Sequence, residues 1–132
     1  MIRAVIIDDE KLARDVISNY LQDYCPEVEV VAMASSVKTA LTAIQKTTPD
    51  LVFLDIEMPD GTGFDLLNMF EKIEFKIIFF FFYSEYAIKA FRFSALDYLL
   101  KPVKIDELID AVARVRSAAT PGISSEIISS LL

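Results

Sequence analysis

The sequence of 132 residues contains no histidine and a single cysteine, Cys25. The absence of histidine excludes histidine-ligated metal sites and catalysis by a Ser/His/Asp or Cys/His arrangement. A lone cysteine excludes a disulfide framework within the chain. Basic residues are also scarce, because 13 Lys and Arg stand against 20 Asp and Glu, for a net charge of -7. This balance argues against direct binding to nucleic acid or to an anionic membrane, since both need clustered basic side chains.

Long hydrophobic runs are missing as well. The longest uninterrupted apolar run, residues 77–83, is far shorter than the ~20 residues that cross a bilayer. The first residues lead directly into Asp8 and Asp9 without the pattern of a signal peptide. Together with the single cysteine, this predicts a cytoplasmic protein without membrane contact. A chain of this length is expected to form one domain.

Five short apolar segments alternate with five helical patterns. The apolar segments are residues 2–7, 28–33, 51–54, 76–82 and 95–99. The first, third and fourth are almost continuously apolar, which is typical of strands buried on both faces of a parallel sheet. Apolar residues recur at helical spacing within residues 12–24, 37–44, 64–70, 87–91 and 108–115. Either Ser35 or Ser36 could cap the second helix. The alternation predicts a doubly wound α/β sandwich with right-handed crossovers.

Charged residues stand at the ends of three predicted strands. Asp8 and Asp9 follow the first strand, Asp55 closes the third, and Lys101 follows the fifth. Because such strands direct their carboxyl ends to one edge of the sheet, where ligands bind, we expect these side chains to meet. Carboxylates within about 5 Å of one another repel, and a hard cation such as Mg²⁺ relieves the repulsion. The sequence therefore predicts a Mg²⁺-dependent site in which Asp55 is a nucleophile that becomes an acyl phosphate and Lys101 contacts the phosphoryl oxygens.

Each of these residues, taken alone, also has a purely structural interpretation. The acids at 8–10 could cap the first helix, and Asp55 could be a turn residue. Lys101 could be a solvated surface charge, and Pro102 could simply end a strand. Their coincidence at corresponding strand ends favours the functional interpretation.

Three motifs in the chain resemble those of one protein family. They are Asp-Asp-Glu at residues 8–10, Leu-Asp-Ile-Glu-Met-Pro-Asp-Gly-Thr-Gly at 54–63, and Asp-Tyr-Leu-Leu-Lys-Pro at 97–102. In this order they resemble the CheY-like receiver domain of two-component response regulators, over residues 2–118. Residues 83–98 are similar to receivers that precede a LytTR-type (LytR/AlgR) DNA-binding domain. The resemblance implies a flavodoxin-like sheet of five parallel strands in the order 2-1-3-4-5, with five helices.

The resemblance also implies a role for each residue of the predicted site. Asp55 would accept a phosphoryl group from a phosphohistidine of a sensor histidine kinase. Asp9 and Asp55 would ligate Mg²⁺ through their side chains, Asp8 largely through water, and Glu57 through its backbone carbonyl. Lys101 would pair with the phosphoryl oxygens. The domain would thus be a signalling phosphoacceptor and not an enzyme.

Two further residues take roles from the resemblance. Pro102 matches a proline preceded by a cis peptide bond, and Tyr98 matches an aromatic residue that turns inward on activation. Tyr98 could equally be a half-buried strand residue with its hydroxyl at the surface. Phosphorylation would reshape the surface formed by the fourth helix, the fifth strand and the fifth helix, and so promote a homodimer or the release of an output domain. The exposed apolar candidates on this surface are Ile88, Phe91 and Phe93. Packing beneath the sheet is the alternative, and for Phe91 the preferred one.

The sequence departs from the family pattern at the end of the fourth strand. The family places Thr or Ser there, followed by a small residue, whereas this chain has Phe81 and Phe82 within a run of four phenylalanines. Phe81 has no hydroxyl, and we expect it to point into or beside the acidic pocket. Four successive phenylalanines in a strand would place two rings on each face. Core filling, or an alignment shifted so that Ser84 takes the hydroxyl position, are the alternatives. We expect Mg²⁺ binding to survive while phosphoryl stabilisation and switching are weakened.

Two other classes of protein share parts of this pattern. A haloacid-dehalogenase-like phosphatase also uses an Asp at a strand end, with a second acid at the spacing of Glu57, but the turn at 58–61 and the lack of a cap segment do not fit. A flavodoxin-like binding module needs a phosphate loop where this chain has acids. After Ala119 the chain reads Thr-Pro-Gly-Ile-Ser-Ser, a linker-like break, and residues 119–132 are expected to be a tail or a connection to an output domain.

Overall fold

The computed structural model describes residues 1–82 and 97–117. In chain order the elements are β1 (Ile2–Ile7), α1 (Lys11–Tyr24), β2 (Val28–Ala34), α2 (Val37–Thr47), β3 (Leu51–Asp55), β4 (Glu57–Met58), β5 (Gly61–Thr62), α3 (Gly63–Leu67), β6 (Lys76–Phe81), β7 (Asp97–Leu100) and α4 (Ile105–Ser117). None of the helices in this described part is long and apolar enough to span a membrane.

Five strands form one parallel sheet in the order β2-β1-β3-β6-β7. Since β6 and β7 are the fourth and fifth of these strands, the predicted order 2-1-3-4-5 and the flavodoxin-like class are confirmed. The fourth helical pattern, at 87–91, and the start of the fifth predicted strand, at 95, lie outside the described residues. The described residues contain four helices, one fewer than predicted for the whole chain. A small antiparallel hairpin, β4 with β5, was not predicted from the sequence.

Both faces of the sheet are buried, which explains the continuous apolar runs. Successive strand residues point to opposite faces, and the helices cover each face with its own apolar cluster. One cluster packs strand residues against α2 and α3; its sheet members include Val5, Ile7, Val52, Leu54, Ile77, Phe79 and Phe81. The other packs strand residues against α1 and α4; its sheet members include Ala4, Ile6, Leu51, Phe53, Ile78, Phe80 and Leu99. Neither face of the central strands therefore needs polar residues.

The four phenylalanines do not divide evenly between the two faces. Phe79 and Phe81 lie in the cluster under α2 and α3, and Phe80 lies in the other cluster, where its ring stacks on Phe53 with centroids 5.7 Å apart. Phe82 is 61% exposed. The expectation of two buried rings on each face is therefore wrong for Phe82. The physical reason is that β6 ends at Phe81, which makes the last pairing with β7. Phe82 follows the strand, so the alternation of side chains between the two faces of the sheet no longer applies to it.

The end of β3 and the start of α3 lie in direct contact at Gly63. A Cβ atom on Gly63 would lie 2.8 Å from the carbonyl oxygen of Asp55 and 3.0 Å from Cγ of Leu54. The amide of Gly63 also donates a 2.7 Å hydrogen bond to the carbonyl oxygen of Ile56. This contact leaves no room for a side chain and fixes the backbone that carries Asp55.

We expect Gly63→Ala to lower the free energy of unfolding by about 1–3 kcal/mol, the usual cost of inserting a methyl group into a packed site. The direction is informative, because Gly→Ala in a helix without such a contact is usually stabilising. Urea denaturation followed by circular dichroism measures the change. Asn68→Ala, at the exposed end of the same helix, is the control and should change stability by less than about 0.5 kcal/mol. A Gly63→Ala variant as stable as the parent would contradict the proposed close contact.

Candidate functional site

The carboxyl ends of β1, β3 and β7 bring four charged residues together at one edge of the sheet. Asp8 and Asp9 follow β1, Asp55 is the last residue of β3, and Lys101 follows β7. Carboxylate oxygens of the three acids all lie within 4.8 Å of one another. Asp8 and Asp55 are 3% and 5% exposed, whereas Asp9 is exposed. The topology thus produces the cluster that the sequence predicts.

Lys101 lies between the two buried acids. Its Nζ is 2.8 Å from Oδ2 of Asp8 and 3.3 Å from Oδ2 of Asp55. Burial lowers the pKa of Lys101, but its hydrogen bond to Asp8 and the charge of Asp55 outweigh this effect and leave the pKa raised. Lys101 is therefore a fixed positive charge at neutral pH.

The same surroundings, which favour the charged form of Lys101, disfavour the charged form of Asp55. Burial, followed by repulsion from Asp8, raises the pKa of Asp55 to about 7, even though Lys101 works against both effects. Two of the three carboxylates, Asp8 and Asp55, thus share the single charge of Lys101. Clustered carboxylate oxygens are the donor set that Mg²⁺ prefers, so the residues present fit such an ion.

The amino end of α1 lies beside the site without being capped by an acidic side chain. Glu10 holds the N-cap position and makes no side-chain capping bond. Oδ1 of Asp8 accepts a 3.0 Å hydrogen bond from the amide of Glu10, and Nη1 of Arg14 donates a 2.7 Å hydrogen bond to the carbonyl oxygen of Asp8. Simple helix capping therefore does not account for the cluster of acids.

A cavity of about 130 Å³ opens next to Asp55. It is lined by Asp9, Glu10, Asp55, Ile56, Glu57, Phe81, Phe82 and Lys101. Its walls combine acidic groups, one cation and two aromatic rings. Such a space can admit a small charged group next to Asp55 and Lys101.

The two phenylalanines at the cavity have different surroundings. Phe81 is 2% exposed, and its ring is stacked on that of the half-buried Tyr98, with centroids 5.6 Å apart and planes 13° from parallel. The ring centroid of Phe82 lies 5.2 Å from Nζ of Lys101, a cation–π distance. Phe81 thus lies beside the acidic pocket, where the sequence places it, and Phe82 contacts the lysine.

The remaining predicted site residues lie around this cavity. Glu57 is in β4, two residues after Asp55, with an exposed side chain. Pro102 follows Lys101, and the peptide bond between them is cis. Ser84 and residues 88–93 lie outside the described residues.

The sequence did not point to the roles of three residues. Arg14 donates a hydrogen bond to the carbonyl oxygen of Asp8, and Glu10 lines the cavity. The carboxylate of Asp60 accepts hydrogen bonds from the amides of Val37 and Lys38. The Pro-Asp-Gly turn marks residue 60 as a turn residue, but no pattern in the sequence points to a partner 22 or 23 residues away.

Comparison with known proteins gives a consistent assignment. Residues 4–113 match the family described as "Response regulator receiver domain". The chain is 37% identical over 118 residues to the sensory transduction protein LytT of Bacillus anthracis, covering 88% of this chain and 48% of that protein. It is 39% identical over 117 residues to the transcriptional regulatory protein BtsR of Escherichia coli K12, again covering 88% and 48%.

Solved structures agree. The REC domain of AraT, a response regulator from Geobacillus stearothermophilus, is 31% identical with a TM-score of 0.79, over 88% of this chain and 93% of that one. The chain spans about half the length of the curated relatives it matches. Neither the phosphatase nor the flavodoxin-like alternative is favoured by these similarities. The chain belongs to the response regulator receiver domain family, and its relatives include regulators of the LytT type.

Proposed function

We propose that this chain is a phosphoacceptor switch in which Asp55 is phosphorylated from a phosphohistidine of a sensor histidine kinase. The observation that carries the proposal is the buried carboxylate of Asp55, 3.3 Å from Lys101 and beside a cavity of about 130 Å³. A carboxylate oxygen of Asp55 attacks phosphorus, the phosphorus–nitrogen bond breaks, and the electron pair stays on the imidazole of the donor. The product is an acyl phosphate.

The acids of the site have a second task, which is to hold Mg²⁺. The ligands we propose are the side chains of Asp9 and Asp55 and the backbone carbonyl of Glu57, with Asp8 acting largely through water. When bound, Mg²⁺ supplies positive charge to the carboxylates and to the phosphoryl oxygens. Asp55 must be ionised to attack, and its pKa of about 7 leaves much of it neutral near pH 7 unless positive charge is added.

Lys101 would contact the phosphoryl group during the transfer. Its Nζ already contacts Oδ2 of Asp55, so it is positioned to contact oxygens of a phosphoryl group on that residue. Because its pKa is raised, it carries its charge throughout the physiological pH range.

We further propose that switching is weakened at Phe81. A Thr or Ser at this position would offer a hydroxyl to the phosphoryl group, and Phe81 offers none. The ring of Phe81 also packs against Tyr98, which ties the proposed switch residue to an apolar partner. A lost hydrogen bond to a charged group is worth roughly 1.5–3 kcal/mol, enough to shift a two-state equilibrium at least tenfold.

The output of the switch is also a proposal. Phosphorylation would change the surface that includes β7, α4 and the undescribed residues 83–96, and would promote a homodimer or the release of an output domain. Since some relatives are named transcriptional regulators, DNA binding would belong to a longer parent protein and not to this domain. The boundaries 2–118 and 119–132 and the cytoplasmic location stay predictions.

The central prediction is that acetyl phosphate and Mg²⁺ add one phosphoryl group to the chain, detected by intact-mass spectrometry. Asp55→Asn should abolish the added mass, and chelation of Mg²⁺ should reduce it strongly. Asp23→Asn, an exposed acid of α1, removes the same charge elsewhere and should leave labelling unchanged. Labelling that persists in Asp55→Asn would refute the assignment of the phosphoacceptor.

A second prediction concerns stability in metal-free buffer. The folded-state pKa of Asp55, about 7, exceeds its ordinary value of 3.8, so ionisation of Asp55 destabilises the fold increasingly as pH rises from about 4 to 7. We expect Asp55→Asn to be more stable than the parent near pH 7, by on the order of 2–4 kcal/mol, and the difference to vanish near pH 4.

Urea denaturation at several pH values measures this difference. Asp23→Asn should show no such dependence on pH. Addition of Mg²⁺ should stabilise the parent and have a smaller effect on Asp55→Asn. A stability difference independent of pH would contradict the proposed strain at Asp55.

A third prediction tests Phe81. The double variant Phe81→Thr/Phe82→Ala should hold a larger phosphorylated fraction, by roughly tenfold in the equilibrium constant, and should show a larger change in near-ultraviolet circular dichroism on phosphorylation. Because truncating a buried Phe costs roughly 3–5 kcal/mol, folding of the variant is checked first by its far-ultraviolet spectrum. Phe82→Ala alone is the control, since it opens the cavity but keeps Phe81 against Tyr98. Equal labelling and equal spectral change in the parent, in Phe82→Ala and in the double variant would contradict the proposal that Phe81 weakens switching.

A further inference from the structure

The carboxylate of Asp60 joins the loop after β3 to the amino end of α2. Its Oδ1 accepts a 2.8 Å hydrogen bond from the amide of Val37, and its Oδ2 accepts a 3.1 Å hydrogen bond from the amide of Lys38. These amides belong to the first turn of α2, where backbone donors have no partner within the helix. The two bonds hold the pKa of Asp60 below its usual range. Asp60 is thus an ionised clamp between two separate parts of the chain.

The helix has its own cap besides this clamp. Oγ of Ser36 accepts a 3.1 Å hydrogen bond from the amide of Thr39, and the Thr39 side chain in turn accepts a hydrogen bond from the amide of Ser36. The amino end of α2 is therefore stabilised by two independent devices. One is local to the helix, and the other reaches it from the loop that follows Asp55.

That loop is attached firmly at its base. The amide of Ile56 donates to the carbonyl oxygen of Phe80, and the amide of Gly63 donates to the carbonyl oxygen of Ile56. Between these points the chain forms the two-residue ladder of β4 and β5, Met58 is buried in the cluster under α2 and α3, and Thr62 exchanges hydrogen bonds with Asp65. So short a hairpin has little stability of its own, so its position depends on these contacts and on those at its tip.

The tip of the hairpin is where Asp60 acts. Gly61, next to Asp60, has a φ of +152°, and a Cβ there would lie 3.3 Å from Cγ2 of Val37. The tip therefore lies directly against α2, and the two hydrogen bonds of Asp60 fasten it there. Glu57, which lines the cavity beside Asp55, lies between the fixed base and the fastened tip.

We propose that Asp60 is a positioning residue that holds the β4–β5 hairpin against α2 and so sets the place of the Glu57 backbone at the Asp55 site. The inference rests on the proposed function, because it assumes that the Glu57 carbonyl contributes to Mg²⁺ binding. Asp60 is not among the residues that line the cavity beside Asp55. Groups that orient ligands in this way commonly change metal affinity 10–100-fold when removed.

The test compares Asp60→Ala with Ser36→Ala in the full chain. Ser36→Ala removes the local cap from the same end of α2 and leaves the loop contact, so it is the matched control. Both variants should unfold at lower temperature than the parent. We expect Asp60→Ala to weaken Mg²⁺ binding about tenfold, measured by isothermal titration calorimetry with Mg²⁺ alone, and Ser36→Ala to bind Mg²⁺ like the parent.

Two further measurements distinguish positioning from loss of fold. Asp60→Asn keeps one acceptor oxygen and should have an intermediate affinity. Labelling of Asp60→Ala by acetyl phosphate should be slow at low Mg²⁺ and should recover when Mg²⁺ is raised about tenfold, since the acceptor itself is intact.

The outcomes separate this inference from the function on which it rests. If the parent binds Mg²⁺ and Asp60→Ala binds it equally well, the inference fails alone. It also fails if Ser36→Ala and Asp60→Ala weaken Mg²⁺ binding by the same factor, because the lower stability of α2 would then be enough to explain the loss of Mg²⁺ affinity. A parent protein that binds no Mg²⁺ would overturn the proposed function and this inference together.

Discussion

Two buried carboxylates share one lysine at the edge of the sheet, and much of the surrounding structure serves to keep them there. Asp8 and Asp55 are nearly inaccessible to solvent, and Lys101 contacts both. Burial and repulsion from Asp8 raise the pKa of Asp55 despite its ion pair with Lys101, so the arrangement is strained without further positive charge. A fold that needed only stability would replace such a group by apolar residues. Its retention at the carboxyl ends of three strands is best explained by a ligand that brings the missing charge.

The apolar pattern of the sequence was sufficient to predict a parallel sheet and the edge where the acids meet, and the family resemblance implied the order of the strands. Strands buried on both faces leave continuous apolar runs, and parallel strands direct their ends to a common edge. The pattern could not predict contacts between residues that are distant in sequence, because such contacts leave no periodic signal in the sequence. The clamp of Asp60 on α2 and the β4–β5 hairpin belong to this class. The exposure of Phe82 was missed for a different reason, since it depends on the residue at which pairing with β7 stops.

The aromatic pair of Phe81 and Tyr98 separates this chain from the pattern it otherwise follows. A hydroxyl at position 81 would need a hydrogen-bond partner in a buried place, whereas the ring of Phe81, stacked on that of Tyr98, needs no polar partner. In the proposed switch, the unphosphorylated state would gain this apolar contact, and the phosphorylated state would lack a hydrogen-bond donor. Phe81 would therefore favour the unphosphorylated state through two separate interactions.

The phenylalanine run of β6 also raises the question of what sets the register of that strand. In a strand with one wet face, a slip by one residue would expose apolar side chains, and this penalty fixes the pairing. In β6 both faces are dry and residues 79–82 are identical, so a slip would exchange one ring for another at little hydrophobic cost. A polar side chain at the start of the strand then distinguishes one register from another. Nζ of Lys76 donates a 2.9 Å hydrogen bond to the carbonyl oxygen of Val115, and a slip by one residue would bring an apolar side chain to that place. A lysine at the far end of β6 from the acidic site thus aligns the strand that carries Phe81 to the cavity.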